Sequence, residues 1–114
     1  MRETVAGAFT PSADPTLVAE ITDQVLGTSP EVVVGAIADA QPTSSAIEIT
    51  KSVKVGKFAV FSDYWPMDHD AARDAGIEVI IMEGVGHFPM LEAPDPFNRH
   101  LHNILAAILA KAEE

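Results

Sequence analysis

Cysteine is absent from the 114 residues, which removes disulfides, thiolate metal sites and a thiol nucleophile together. Basic side chains are scarce, with 7 Lys and Arg against 17 Asp and Glu, a formal net charge of -10. A field of that sign repels phosphate backbones and anionic bilayers, so neither nucleic acid nor a membrane surface is an expected partner. No apolar run approaches the ~20 residues of a membrane span, and Glu3 interrupts any signal-like start. The composition therefore reads as that of a soluble, cytoplasmic protein. At 47% hydrophobic and 21% charged it supports a real core, and its length allows one domain at most.

Helix punctuation dominates the first third of the chain. Val5 and Phe9 lie four apart in a short N-terminal pattern that Gly7 weakens. Asp14-Pro15 is a cap and first-turn pair, Leu17, Ile21 and Val25 recur every fourth residue, and Gly27 supplies the stop. Ser29-Pro30 repeats the start, Val33, Val34 and Ile37 give an apolar face, and Pro42 ends it. Residues 44–50 are read as helix, although Ile47-Glu48-Ile49-Thr50 also alternates as a strand does.

The pattern then changes. Lys57 to Ser62 is a short apolar run suited to a buried parallel strand. Asp68 can cap a helix through Ala71 to Arg73 that Gly76 terminates, and Ile77 to Met82 is a second β-branched run. Strand, helix, strand makes the right-handed crossover of a parallel sheet. Asp95-Pro96 offers a last helix start, with Phe97, Leu101, Ile104, Leu105 and Ile108 as its inner stripe.

Between the second strand and that helix lies the stretch on which the chemistry turns, Gly84-Val85-Gly86-His87-Phe88-Pro89-Met90-Leu91-Glu92. A Gly-x-Gly turn puts His87 just beyond the carboxyl end of a strand, where α/β sheets collect ligands and catalytic groups. With Pro94 and Phe97-Asn98 it closely resembles the catalytic-histidine segment of the α/β-hydrolase superfamily, the esterase and lactonase-like branch with a helical cap. The resemblance covers roughly residues 56 to 112 and, less closely, the helices of residues 1 to 42.

That resemblance implies an α/β fold. It would be a partial α/β-hydrolase fold, with a short parallel sheet, flanking helices, a cap-like segment at 1–42 and a C-terminal segment at 43–114. It implies His87 as general base, since imidazole exchanges protons near neutral pH. A carboxylate on the preceding loop would orient it, with Asp63 preferred and Asp68 second. Here Ser62-Asp63-Tyr64-Trp65 departs from the family's Gly-x-x-Asp spelling, so the expected acid position falls near an aromatic residue. Tyr64, Trp65 and Phe88 would line an apolar pocket for a small ester or lactone.

The nucleophile is missing. No pair of glycines frames a serine as Gly-x-Ser-x-Gly, and Ser12, Ser29, Ser44, Ser45, Ser52 and Ser62 read as turn, cap or strand-end residues. A metal site drawn from Asp63, Asp68, His69, Asp70 and His87 has no recognised ligand spacing, so neither metal nor cofactor is expected. His100 and His102 fall beside the apolar stripe of the last helix. Two parallel strands are too little sheet to stand alone, which points to a homodimer joined at sheet edges or by exchanged elements. The expected activity is hydrolysis of small esters or lactones; the alternative is a non-catalytic remnant that binds a ligand or partner.

Overall fold

The start signals of the first helices work as local chemistry requires. In the computed structural model, which describes residues 2–40 and 43–113, α1 runs Arg2–Ala6, α2 Pro15–Leu26 and α3 Pro30–Ala38. Asp14 accepts from the Thr16 amide at 2.9 Å and Ser29 from the Val32 amide at 3.4 Å, each with proline in the first turn behind it. Gly27 closes α2. Helix α3 ends at Ala38 with Asp39 as its cap, and the predicted stop at Pro42 lies outside the described residues.

The ambiguous segment resolves to helix, α4 at Thr43–Ser52. Lys57 explains why it ends there: its ammonium donates to the carbonyls of Thr50 at 2.7 Å and Val53 at 3.2 Å, a cation on the negative end of a helix. Ser45 and Ser52 therefore lie inside this helix rather than in a turn, and the Ser52 hydroxyl donates back to the Ile49 carbonyl.

Strand β1 (Phe58–Ser62), helix α5 (His69–Asp74) and strand β2 (Glu78–Met82) form the expected crossover, and β1 pairs in parallel with β2 from Phe58 opposite Glu78 to Ser62 opposite Met82. Paired residues share a face, so Phe58, Val60, Ser62, Ile80 and Met82 point one way and Ala59, Phe61, Val79 and Ile81 the other. The architecture is thus mixed α/β, mostly helical, with a two-stranded parallel sheet.

After β2 the chain departs from expectation. A one-turn helix α6 (Pro89–Glu92) precedes α7 (Pro94–Ala112), whose cap is Ala93 with no side-chain hydrogen bond. Asp95 is a first-turn residue and not the cap, because two prolines at 94 and 96 already fix the first turn and leave the orphan amide count low. The predicted inner stripe is only partly covered: Ile104 is buried, whereas Leu101, Leu105 and Ile108 are more than a third exposed.

The core is small. Phe9, Ala8, Ala75, Met82, Val85 and Ile104 are its buried apolar residues, and Phe9 is the largest. Three contacts fasten the N-terminal segment to the β2 turn: the His87 amide donates to the Ala8 carbonyl at 2.6 Å, Phe9 and Phe88 rings sit 5.3 Å apart, and the Thr10 hydroxyl reaches Glu92 at 3.3 Å. Gly86 permits the approach, since a Cβ there would overlap the Ala8 carbonyl oxygen and lie 2.8 Å from the Phe9 Cα. Both neighbours are backbone and cannot rotate away.

Gly86→Ala is therefore expected to lose about 1–3 kcal/mol by overpacking. Gly35→Ala is its control, because a Cβ at that site in α3 meets nothing within 4 Å and relieves an interior-helix glycine worth about 0.5–1 kcal/mol. Urea titration followed by circular dichroism measures both, and equal midpoints for the two variants would refute the role of Gly86.

Candidate active site

The two strands end together, with Ser62 and Met82 both buried, and their outgoing loops form the rim of the sheet. Asp63 stitches these loops. Its amide donates to the Met82 carbonyl at 3.1 Å, extending the ladder by one step, and its carboxylate accepts from the Gly84 amide at 3.0 Å. Gly84 has φ +74°, a left-handed conformation that glycine adopts without steric cost, and this turns the chain back toward the rim.

His87 stands on that turn with its side chain exposed. Its ring packs against Trp65, with centroids 4.6 Å apart and planes at 41°, and edge-on against Phe88 at 5.0 Å. Trp65 is brought there by Ser62, whose hydroxyl oxygen accepts the Trp65 amide at 3.0 Å and folds the loop into a serine turn. A cleft of about 150 Å³ opens beside the imidazole, lined by Ser62, Trp65, Met67, His87, Pro89 and Met90.

The structure brings together some of the expected site residues and separates others. His87 contacts both Trp65 and Phe88, but Phe88 pairs with Phe9 and does not line the cleft beside the imidazole as expected. Asp63 lies on the same rim but spends its carboxylate on Gly84, and Asp68 accepts the Ala71 amide at 2.9 Å as the cap of α5. Among the described residues, neither carboxylate hydrogen-bonds or ion-pairs with the His87 ring. Tyr64 faces elsewhere, into a groove of about 540 Å³ with Phe9, Thr10, Pro11 and Val18. His69 stacks on Phe61 at 5.3 Å, and among the described residues no three His, Asp or Glu side chains converge as metal ligands would.

Sequence reasoning missed Glu92. Its half-buried carboxylate accepts the Gly86 amide at 2.7 Å with one oxygen and the Thr10 hydroxyl with the other. The signal was present in Pro89, which starts a helical turn immediately after the glycine turn and so carries a residue three positions on back over the loop. Glu92 thus fixes the turn that carries His87. Ser62, the one serine on the rim, is buried and occupied by Trp65, unlike the exposed oxygen of a nucleophile elbow.

Comparison with protein-family models, curated proteins and solved structures returns no match. What the site can do follows from its parts: an accessible imidazole beside an apolar cleft can accept a proton from a bound hydroxyl or water and return it.

Trp65 is the single tryptophan, so its fluorescence reports the rim directly. His87→Ala is expected to shift its emission to longer wavelength by removing ring cover. Asp68→Ala should leave emission unchanged while costing about 1 kcal/mol for the lost cap. Identical spectra for His87→Ala and the parent protein would contradict the packing described.

Proposed function

We propose that this chain is a relative of the α/β hydrolases that carries the histidine side of the catalytic centre and, in its cleft, hydrolyses small esters or lactones. The observation that carries the reading is the placement of an exposed His87 at the carboxyl end of a parallel strand, beside an apolar cleft walled by Trp65 and Met90. The helices of residues 2–40 take the place of a cap, supported by the docking of Ala8 and Phe9 onto the histidine turn.

With no elbow serine, the nucleophile in this scheme is water. The imidazole removes one of its protons as the oxygen bonds to the ester carbonyl carbon. Collapse of the tetrahedral adduct breaks the bond to the alkoxide, which takes the proton back from the imidazolium. No metal or cofactor enters. Asp63 acts as a positioning residue through Gly84, and Glu92 through Gly86. Neither touches the substrate, so neither is counted as catalytic. No described helix is long and apolar enough to cross a membrane.

A second reading has its own support. Both candidate acids are engaged by backbone amides, which leaves the imidazole without the carboxylate that orients it in a triad. On that reading the cleft binds a small apolar ligand and performs no chemistry.

A panel of chromogenic esters and lactones separates the two. Turnover above buffer that falls by about 10²–10⁴-fold in His87→Ala is expected for general-base catalysis, with no labelling by a serine-directed phosphonate. Undiminished turnover in His87→Ala, or none in the parent protein, would refute the catalytic reading. Saturable quenching of Trp65 by an unreacted ester would then mark the binding reading.

A further inference from the structure

A hydroxyl buried in a protein normally finds an acceptor for its proton as well as donors for its lone pairs, because an unpaired O–H away from water is costly. Among the described residues two polar side chains are buried, Thr22 at 3% and Ser62 at 4% exposed. Thr22 settles its proton within its own helix, donating to the Val18 carbonyl at 2.6 Å. Ser62 does not. Its oxygen accepts the Trp65 amide at 3.0 Å, and among the described residues the hydroxyl makes no other hydrogen bond, so its proton is left without an acceptor.

Ser62 is also out of keeping with its strand. It stands on the face of the sheet that carries Val60, Ile80 and Met82, a position where a buried parallel strand calls for an apolar residue. That position lines the cleft beside His87, whose remaining walls are apolar apart from the rings of Trp65 and His87. Both rings are partly open to solvent, where water can serve their nitrogens. The proton of the buried serine can be paired only from inside the cleft.

Size and charge limit what can pair it. A void of about 150 Å³ holds a molecule of benzene's size, about six non-hydrogen atoms. No Lys or Arg lines this one and the net charge of the chain is -10, so a carboxylate would enter without a counter-charge. What fits is an uncharged molecule with an apolar body and an acceptor oxygen at its inner end. A five-membered lactone or ring ketone has that size and that oxygen.

We propose that the Ser62 hydroxyl is the donor that holds the carbonyl oxygen of the molecule seated beside His87, which makes this serine a specificity residue for small, uncharged carbonyl compounds and not a nucleophile. The inference rests on the reading that the cleft is the ligand site, and it holds whether or not the bound molecule is hydrolysed. Where hydrolysis occurs, the same hydrogen bond strengthens as water adds and negative charge gathers on that oxygen.

Two unreactive ring compounds of closely similar shape test it, cyclopentanone and methylenecyclopentane, in which a CH₂ group replaces the oxygen. Binding to the full chain is read from the NMR shifts of the Trp65 backbone and indole N–H groups, this indole being the only one present. Ser62→Ala should weaken cyclopentanone by about 5- to 100-fold, as loss of one buried hydrogen bond does, and leave methylenecyclopentane unchanged or tighter. Ser62→Thr, which keeps the hydroxyl, should recover the ketone. If Ser62→Ala does not fold, Ser62→Cys replaces it, with a thiol that is a much weaker donor. A serine that serves only the Trp65 amide would, when removed, weaken both compounds alike, and that outcome overturns the proposal. So does a ketone that shifts neither Trp65 signal in the parent protein. Selective ketone binding without ester turnover would sustain the role of Ser62 and refute catalysis at His87, whereas turnover with both compounds weakened alike would do the reverse.

Discussion

The hydrogen bond from the His87 amide to the Ala8 carbonyl is the contact on which the rest depends. It joins residues 79 positions apart in the chain, between a segment that has barely left its first helix and the turn after the last strand. Backbone approach this close is possible only because Gly86 carries no side chain, and once made it buries Phe9 against Phe88 and lets Thr10 and Glu92 meet. A chain with so small a core has few other long-range fixings of comparable quality. The exposed Arg2 to Asp23 ion pair, two-thirds open to solvent at both ends, adds little.

A second constraint comes from the sheet. Two parallel strands leave two open edges, and parallel strands are ordinarily buried on both faces. Helices α5 and α7 contact β2 and β1 respectively, but the helices themselves carry more apolar surface than two short strands can hide. Helix α3 is the extreme case: Val32, Val34 and Ile37 are all more than 60% exposed. Hydrophobic stabilisation scales with area removed from water, so a chain arranged this way is held together mainly where Phe9, Met82, Val85 and Ile104 are buried.

How much of this was legible in the sequence depended on whether a signal was local. Asp14-Pro15, Ser29-Pro30, Asp68 and Gly76 encode starts and stops through hydrogen bonds within three or four residues, and α2 and α5 begin and end, and α3 begins, within a residue or two of where the pattern put them, whereas α3 ends at Ala38, short of the stop expected at Pro42. The β1–α5–β2 crossover followed from two apolar runs of strand length. The α7 start did not, because Asp95-Pro96 offers a valid cap and nothing nearby discloses that Pro94 has already begun the helix. Nor can periodicity say whether a stripe is covered: Leu105 has the spacing of a core residue and half its surface in solvent. In the candidate site the order of difficulty was the same. His87 stood out by its glycines, whereas the partners of Asp63, Asp68 and Glu92 are settled by which backbone amide each carboxylate meets first, and only Asp68 meets one in its own helix.

That competition for carboxylates bears on how the rim works. Asp63 and Glu92 each hold the amide of a glycine, one at the first and one at the second glycine of the Gly84-Val85-Gly86 turn, so the backbone that presents His87 is clamped from two sides. The imidazole itself is held by aromatic rings instead, Trp65 at a tilt on one side and Phe88 edge-on at another. Such ring contacts restrain where the imidazole sits but do not select which nitrogen carries the proton, a choice that a hydrogen-bonding carboxylate makes in a triad. The rim therefore fixes position firmly and tautomer weakly. Because the cleft is assembled from the end of β1, the loop that follows it and the turn after β2, which Ala8 holds through the His87 amide, any molecule seated in it binds only the folded chain, and occupancy and folding are linked by mass action.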